Sequence, residues 1–278
     1  MSSYPGGGSR NPQPLAGRPD IHRILIIKWS ALGDVAVATA VMDDVCRAFP
    51  AAVIDLNTLP PWDVLFHEDP RFSRVIAFPL RGRGPGATLR WLRTLRRNRY
   101  DLIVDLQCND RSRLMLTLLR LTGARVPYVL GNRPGLPYTV APPALPQRTH
   151  AGARQRAQLA AAGIPAVATR PMPHIPPRSR ERAEVLLQRH GLAGRRFAVF
   201  LPGCQPAGYL KRWGALRYGA LALYLREAGY EGAVLLGSAD EAEECAAIAR
   251  VAGDAVLNLC GETEVLDLVP FCGRAAVI

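Results

Sequence analysis

The sequence predicts an α/β protein in which parallel, doubly wound sheets are covered by helices on both faces. Short apolar runs of the kind found in strands buried on both faces alternate along the chain with segments whose apolar residues recur at helical spacing. The 278 residues are 49% hydrophobic and 21% charged, an ordinary globular composition. A chain of this length is expected to form about two domains.

The elements of the first half follow from apolar spacing. Residues 1–20 are rich in Gly, Pro and Ser and predict a flexible leader. The first strand is predicted at 24–27, where four apolar residues follow one another. A loop over 29–33 then leads into a helix that Asp34 opens and Pro50 ends. Further strands are predicted at 53–56, 75–78 and 102–106, and further helices at 88–97, 113–121 and 151–162.

Prolines gather at 142–146 and 165–177, which is typical of a linker between domains. We therefore predict a first domain over 21–178 and a second over 179–278, the simplest interpretation being two Rossmann-like halves. In the second half, strands are predicted at 197–201, 233–236, 255–259 and 275–278, and helices at 216–228, 242–251 and 265–272.

Several protein classes are disfavoured by the sequence. No apolar stretch approaches the roughly 18 to 20 residues of a membrane-spanning helix, and the N-terminus has no apolar signal segment, so a cytoplasmic protein is expected. The six cysteines are scattered without a C-x-x-C spacing, which indicates neither a zinc site nor a disulfide framework. We expect no metal ion.

The basic charge is unevenly distributed. The chain carries 35 basic and 23 acidic residues, a formal charge of +12. Residues 1–150 hold 20 basic and 11 acidic side chains, residues 151–200 hold 9 and 2, and residues 201–278 hold 6 and 10. A positive first half favours anionic partners. Nucleic acid is the weakest of these, because no nucleic-acid motif is present and only 7% of residues are aromatic.

The best candidate for a chemical site is the loop Lys28-Trp29-Ser30-Ala31-Leu32-Gly33-Asp34 between the first strand and helix. Gly33 permits a ligand to approach the backbone closely. The loop matches neither G-x-G-x-x-G nor a P-loop, so no nicotinamide or nucleoside-triphosphate motif is present here. From spacing alone, helix capping is the favoured role of Asp34.

Five short motifs in order resemble glycosyltransferase family 9, the ADP-heptose lipopolysaccharide heptosyltransferases. The segment 26–40 is similar to the opening motif of the family, and Tyr100–Gln107 is similar to its D-L-Q-G motif. The other three are Pro202-Gly203 with Leu210–Trp213, Leu235–Gly237 followed by Asp240-Glu241, and Asn258-Leu259 with Gly261. The resemblance covers about residues 22 to 278.

The resemblance implies a GT-B fold, two Rossmann-like domains facing a cleft. The first domain would bind the acceptor and the second an ADP-sugar. It implies an inverting transfer of a heptose or related sugar to lipopolysaccharide core or another anionic lipid-linked glycan, without a cofactor. Asp34 would be the general base, kept ionised by the helix dipole. Lys211 would neutralise the departing diphosphate.

The resemblance also assigns binding residues, each with an ordinary structural alternative such as a helix cap, a turn or a solvated side chain. Glu241 would contact the ribose of the donor, and Glu262 and Thr263 would line the adenine pocket. The remaining donor-binding candidates are Gly203, Cys204, Gln205 and Lys211. The acceptor-binding candidates are Ser30, Gly33, Gln107, Arg111 and Ser112.

The sequence departs from the family pattern at four places. Cys108 replaces the glycine of D-L-Q-G, Gly214 replaces a proline, and Ala153 replaces the glutamate of the H-x-x-E-R string that begins at His150. The D-T-G-x-x-H segment, which in the family follows a strand like 275–278, is missing. We therefore expect a truncated second domain that binds ADP-sugar poorly and turns over slowly or not at all.

One charged segment and one alternative function stay open. The tract 81–99 holds seven arginines and no acidic residue, with Trp91, Leu92 and Leu95 interleaved. Such a tract is usually a solvated helix face, but it also fits an anionic membrane surface, here the inner face of the inner membrane. The alternative function is a non-catalytic GT-B protein that binds an anionic glycan or a partner protein.

Overall fold

The computed structural model describes residues 14–78, 85–146, 148–204 and 210–278, which form two compact units. Unit 1 ends at His174 and unit 2 begins at Ile175. This division precedes the predicted boundary at 178, because helix α5 (Pro177–Arg189), which we did not predict, packs within unit 2.

Unit 1 contains a five-stranded sheet in the order β3-β2-β1-β4-β5, with every pair of neighbours parallel. The strands are β1 (Arg23–Ile27), β2 (Val53–Thr58), β3 (Arg74–Ala77), β4 (Leu102–Asp105) and β5 (Tyr128–Leu130). The helices are α1 (Leu32–Ala48), α2 (Pro85–Asn98), α3 (Asp110–Leu121) and α4 (Ala151–Ala161). The predicted α/β class and parallel sheet are confirmed, and only β5 was not predicted among these strands.

The central strand β1 is buried on both faces, as its apolar run predicts. Ile24 and Ile26 face the core cluster that includes α1, whereas Leu25 and Ile27 face the cluster that includes α2 and α3. All four side chains are fully buried. Helices on both faces of one parallel sheet thus follow from a strand without a polar face.

Residues 14–20 are part of unit 1, so the prediction of a flexible leader is wrong for this segment. Leu15 is buried in the core, and its amide donates to the carbonyl of Ala162 at 2.8 Å. Arg18 pairs with Asp20 at 2.9 Å and lies over the ring of Tyr128. Leu15 thus anchors this segment, and Ala16 packs against the same core cluster. Residues 1–13 lie outside the described residues.

Unit 2 contains a smaller parallel sheet in the order β6-β7-β8. Its strands are β6 (Ala198–Phe200), β7 (Ala233–Leu235) and β8 (Val256–Asn258), and its other helices are α6 (Ala215–Glu227), α7 (Ala242–Ala252) and α8 (Leu268–Arg274). The strand predicted at 275–278 is reduced to one parallel bridge between Val277 and Ala198 of β6. The helix predicted at 265–272 is a 3-10 turn, Val265–Asp267, that runs into α8.

The strand order of unit 1 reverses between β1 and β4. The chain winds outward from β1 to β2 and β3, then returns to place β4 on the opposite side of β1. The loops after β1 and β4 therefore enter helices on opposite faces of the sheet, α1 and α3. Ligands of open α/β sheets bind at the carboxyl ends of strands at such a reversal.

Candidate functional site

A crevice of about 220 Å³ opens at this reversal, and we call it the switch-point crevice. It is lined by Lys28, Ser30, Asp34, Val37, Leu106, Gln107, Cys108, Asn132, Ala151, Arg154, Gln155 and Gln158. A second cavity of about 400 Å³ shares Cys108, Asn132 and Arg154 with it and extends to Asp110 and Arg133. The structure therefore brings together three of the predicted catalytic and acceptor-binding residues, Ser30, Asp34 and Gln107.

The loop after β1 is held in place by side-chain amides. The Oε1 atom of Gln107 accepts from the backbone N–H of Trp29 at 2.9 Å and of Ser30 at 3.3 Å. Below the loop, the indole N–H groups of Trp29 and Trp91 both donate to Oδ1 of Asn57, at 2.9 and 2.8 Å. Gln107, predicted to bind the acceptor, thus also fixes the backbone of Ser30.

The buried carboxylate of Asp105 organises the loop after β4. Its Oδ1 accepts from the backbone N–H of Gln107 at 3.0 Å and of Cys108 at 2.9 Å. Its Oδ2 accepts from the hydroxyls of Ser112 and Tyr138, both at 2.8 Å. Burial raises the pKa of Asp105, and these hydrogen bonds oppose that rise. Ser112 is fully buried in this network, so the structure places it beneath the crevice instead of in its lining.

Cys108 has a left-handed backbone, with φ of 49°. Glycine is the residue that adopts this conformation without a steric penalty, and glycine is the residue that Cys108 replaces in the D-L-Q-G motif. The thiol contacts the carbonyl oxygen of Asp105 and lines both cavities. Burial raises the pKa of the thiol well above its usual range. A buried thiol of this kind is an unreactive part of the wall.

Asp34 lies in the first turn of α1 with its carboxylate exposed at the crevice. The N-cap of the helix is Ala31, so Asp34 is not the capping residue that its spacing favours. Within the described residues its carboxylate has no hydrogen-bond or ion-pair partner. Gly33 beside it is exposed, and nothing lies within 4 Å of the point where a Cβ would stand. A ligand can therefore reach this carboxylate.

Lys28 begins the loop motif 28–34, and no role was predicted for it. It follows β1 directly and is only 5% exposed, although its side chain lines the crevice. Burial lowers its pKa, and the negative charges of Asp34 and Asp105 oppose that effect. Its position directly after a strand of apolar residues is the signal that could have identified Lys28 as a site residue from the sequence.

The predicted arginine of the acceptor site, Arg111, is exposed at the start of α3 and is not among the residues that line either cavity. Arg154 takes that place and lines both cavities, and its guanidinium donates to the carbonyl of Thr149 at 2.9 Å. His150 caps α4, since its Nδ1 accepts from the N–H of Gly152 at 3.2 Å. Of the two retained residues of the H-x-x-E-R string, His150 thus has a structural role and Arg154 lies at the crevice.

The predicted donor-binding residues of unit 2 follow the carboxyl ends of its three strands. Gly203 and Cys204 follow β6, Glu241 follows β7, and Glu262 and Thr263 follow β8. Parallel strands end at the same edge of a sheet, so these residues share one edge of unit 2. Gln205 lies outside the described residues.

Glu241 packs between two glycines at this edge. A Cβ on Gly203 would overlap the Glu241 carboxylate, and a Cβ on Gly237 would stand 2.8 Å from its Oε2. Oε2 accepts from the backbone N–H of Ser238 at 2.7 Å and from its hydroxyl at 3.2 Å, which closes a capping box. Glu241 therefore caps the helical turn and also lies at the carboxyl ends of the strands. Its Oε1 atom has no hydrogen bond within the described residues.

Lys211 is exposed and lies four residues before α6, so it is not in the first turn of that helix. Its neighbour Arg212 is half-buried, donating to the carbonyl of Cys204 at 3.3 Å and pairing with Glu244 at 3.4 Å. Arg212 ties the loop after β6 to α7, whereas the Lys211 ammonium has no partner within the described residues.

Helix α2 presents one face of arginines to solvent, which we call the basic face. Trp91, Leu92 and Leu95 are buried, and Leu89 is 45% exposed. The basic face comprises Arg90, Arg93, Arg96 and Arg97, all exposed and without an ion pair in the described part of the chain. Arg81 and Arg83 of the predicted tract lie outside the described residues. Beside α2, helix α3 exposes Leu114 and Leu121, at 59% and 74%.

The described residues contain neither a metal-binding cluster nor a membrane-spanning helix. No group of three or more His, Cys, Asp or Glu side chains there is placed to hold a metal ion. No helix described in the structure is both long and apolar enough to cross a membrane. None of the six cysteines, all of which lie in the described part of the chain, forms a disulfide bond.

Solved structures of similar fold include glycosyltransferases of family 9. The glycosyl transferase family 9 protein of Veillonella parvula DSM 2008 shares 20% identity with a TM-score of 0.76, covering 94% of this chain and 75% of that one. E. coli ADP-heptose lps heptosyltransferase II shares 23% identity with a TM-score of 0.68, covering 92% of this chain and 78% of that one. E. coli heptosyltransferase WaaC with ADP-2-deoxy-2-fluoro heptose shares 19% identity with a TM-score of 0.66, covering 92% of this chain and 81% of that one. At these identities the likeness establishes the fold, which is GT-B.

A comparison with curated proteins finds no match. The profile of glycosyltransferase family 9 (heptosyltransferase) matches residues 88–278, more than half of the chain. The resemblance of the short motifs and the profile thus agree, and the chain belongs to glycosyltransferase family 9.

Proposed function

We propose that the protein transfers a heptose or a related sugar from an ADP-sugar to an anionic lipid-linked glycan such as lipopolysaccharide core, with Asp34 as general base. The observation that carries the proposal is the exposed carboxylate of Asp34 at the switch-point crevice, which has no partner among the described residues. Family membership supports glycosyl transfer, and the ADP and ADP-heptose analogue bound to WaaC support a nucleotide-sugar donor.

On the acceptor side, the oxygen of the attacking hydroxyl forms the bond to the anomeric carbon. Asp34 takes the proton of that hydroxyl as the bond forms. Asp34 lies in the first turn of α1 with its carboxylate exposed, so the hydroxyl of an acceptor can reach it. Positioned bases of this kind contribute about 10²- to 10⁴-fold to a rate. The backbone N–H groups of Trp29 and Ser30 are occupied by Gln107, which fixes the loop before Asp34.

On the donor side, the bond from the anomeric carbon to the diphosphate breaks with inversion, and its electron pair stays on the diphosphate. We propose that Lys211 neutralises the charge that develops there, because it is an exposed cation beside the loop after β6. Gly203, Cys204, Gln205, Glu241, Glu262 and Thr263 are proposed to hold the nucleotide. We propose that the reaction needs no metal ion.

The proposed acceptor is attached to lipid, which places the reaction at the cytoplasmic face of the inner membrane. The basic face of α2 and the exposed leucines of α3 support a peripheral contact with anionic lipid. Nucleic acid is not a proposed partner.

Asp34→Asn tests the proposal, because it removes the base and keeps the size of the side chain. We expect sugar transfer from radiolabelled ADP-heptose to a glycolipid extract by the full chain to fall by about 10²- to 10⁴-fold, with unchanged ADP affinity in calorimetry. Asp110→Asn is the matched control, since Asp110 lines the adjoining cavity and pairs with Arg133 at 3.0 Å.

Equal transfer by the Asp34→Asn variant and the unaltered chain would remove Asp34 as the base. No transfer by the unaltered chain, together with glycolipid binding, would support the alternative of a non-catalytic GT-B protein that binds an anionic glycan.

A further inference from the structure

Two cysteine thiols of unit 2 lie together behind the edge where strands β7 and β8 end. Cys245 lies on α7 and is fully buried, whereas Cys260 follows β8 and is half-buried. Both belong to the core cluster that packs α6 and α7 against the sheet, and their thiols interact directly. Both thiols are free. Two adjacent thiols, one of them reachable from solvent, are the reactants from which a disulfide bond forms.

The Cys260 thiol connects the loop after β8 to the loop after β7. Its Sγ donates to the carbonyl oxygen of Ser238 at 3.1 Å, and the backbone N–H of Gly261 donates to the carbonyl of Gly237 at 2.9 Å. A Cβ on Gly237 would stand 3.4 Å from the Sγ of Cys260 and 2.8 Å from Oε2 of Glu241. The thiol and the Glu241 carboxylate therefore border the same glycine.

Ser238 links the thiol to Glu241. The backbone N–H and the hydroxyl of Ser238 donate to Oε2 of Glu241, at 2.7 and 3.2 Å, while its carbonyl accepts from Cys260. A disulfide has no S–H group, so oxidation of Cys260 removes the donor to this carbonyl. Because a thiol is a weak donor, the expected effect on the loop after β7 is modest.

Cys260 is the thiol of the pair that a molecule in solution can reach. Cys245 is fully buried, and this burial raises its pKa to about 12, so its sulfur is a neutral thiol at neutral pH. Thiol–disulfide exchange begins with attack by an accessible sulfur and passes through a mixed disulfide. The arrangement thus provides an attacking sulfur at Cys260 and a second sulfur behind it, at Cys245, to complete the exchange.

We propose that Cys245 and Cys260 form a reversible modification site for low-molecular-weight disulfides, which convert the pair to an internal disulfide and weaken nucleotide binding at this edge of unit 2. The Cys260 sulfur attacks one sulfur of the reagent, whose S–S bond breaks and releases one thiol. The Cys245 sulfur then attacks the Cys260 sulfur, and the second thiol leaves with the Cys245 proton. The pair loses two electrons and two protons, and the reagent gains them as two thiols.

The two parts of this proposal are separable. The effect on nucleotide binding rests on the proposed function, because that function places the donor at the ends of β6, β7 and β8. The disulfide itself does not, since its formation is measured without any ligand. Transient disulfides of this kind are typical of redox-sensing proteins in a reducing compartment.

Peptide mapping of the full chain after exposure to oxidised glutathione tests the bond. Digestion after arginine and glutamate separates the pair into peptides 245–250 and 251–262 and leaves Cys272 in another peptide. We expect these two peptides to be linked, with the loss of two free thiols, and to be released by dithiothreitol. In Cys245→Ala, which lacks the second sulfur, the reaction should stop at a glutathione adduct on Cys260.

Calorimetric titration with ADP before and after oxidation tests the consequence. We expect the affinity of the unaltered chain to fall by about 2- to 10-fold, as for one lost hydrogen bond, and to return after dithiothreitol. Cys260→Ser should have the same ADP affinity before and after the oxidant, because a hydroxyl forms no disulfide. Cys204→Ser is the matched control, since Cys204 is also half-buried at this edge, and it should respond to the oxidant as the unaltered chain does.

Three results would overturn the proposal: free thiols at Cys245 and Cys260 after the oxidant, an unchanged ADP affinity of the disulfide form, or an equal loss of affinity in Cys260→Ser, which would assign the effect to another cysteine. If the reduced chain binds no ADP although the disulfide forms reversibly, the modification site stands, and the proposed donor site and the effect on it are removed.

Discussion

At the scale of single residues, the shape of the switch-point crevice depends on Asp105, a residue that does not line it. The carboxylate fixes the backbone of Gln107 and Cys108 and the start of α3 through Ser112. Because burial raises the pKa of Asp105 above its ordinary value of 3.8, the folded chain binds this proton more tightly than the unfolded chain does. Its contribution to stability is therefore present below that value and is lost as the pH rises through the folded-state pKa.

The variant Tyr138→Phe removes one donor to this carboxylate, a hydrogen bond of 2.8 Å. We expect the free energy of unfolding to fall by about 1 to 3 kcal/mol at neutral pH, the cost of leaving a buried acceptor less well satisfied. The loss should shrink at acid pH, because a protonated Asp105 depends less on donors. Urea unfolding at several pH values measures both effects.

Tyr128→Phe is the control for this measurement, since among the described residues its hydroxyl contacts only Asp20, at an exposed position and at 3.3 Å. A change within about 0.5 kcal/mol is expected there. A loss in Tyr138→Phe that does not depend on pH would show that the hydroxyl acts through packing and not through the Asp105 charge.

At the scale of residues, the sequence predicts the parts of the site that are contiguous along the chain. Ser30 and Asp34 lie in one motif and Gln107 in another, and both motifs follow strands that a run of apolar residues reveals. The convergence of Lys28 with Asn132 and Gln155 joins positions more than one hundred residues apart. No local pattern contains that information, because it depends on how strand β5 and helix α4 pack beside β4.

At the scale of elements, the packing of helix α2 decides to which side of the helix the arginines of the charged tract point. The tract alone is compatible with a solvated face, but its four exposed arginines project to one side while Trp91 and Leu95 hold the other side in the core. Exposed leucines of α3 lie on the same layer of unit 1, since both helices contribute to one core cluster. A basic surface with exposed apolar side chains fits the boundary of an anionic lipid layer.

Reversal of two charges tests this surface. We expect Arg93→Glu/Arg97→Glu to reduce binding of the full chain to phosphatidylglycerol-containing vesicles by about 30-fold in co-sedimentation, at ~1 kcal/mol for each arginine near the surface. Binding to neutral phosphatidylcholine vesicles should be weak for both proteins. Rising salt should weaken the unaltered chain more than the variant.

Arg180→Glu/Arg189→Glu is the matched control, because both residues are exposed on α5 of unit 2 and the change in net charge is the same. If the two double variants lose the same affinity, net charge and not the basic face determines vesicle binding. The contact proposed for α2 would then be abandoned.

At the scale of the whole molecule, the elements that were predicted are those with strong local signals. The buried runs at β1, β4 and β7 and the spacing of α1 and α6 place each element within a few residues of its observed bounds. Helix α5 was missed because it begins at Pro177 in a proline-rich stretch and is dominated by Arg and Glu. The packing of Leu15 was missed because a single leucine has no periodicity.

The proposed binding of the acceptor by unit 1 and of the donor by unit 2 gives a final prediction for the full chain. We expect ADP to slow amide hydrogen exchange in the loops at 201–204, 237–241 and 259–263 of unit 2, because backbone N–H groups that bind a ligand are protected. A glycolipid acceptor extract should slow exchange at 28–34 and 106–110 of unit 1 instead. Lys211→Gln should weaken the effect of ADP and keep that of the glycolipid. Protection of residues 28–34 by ADP alone would place the nucleotide in unit 1 and reverse the assignment of donor and acceptor.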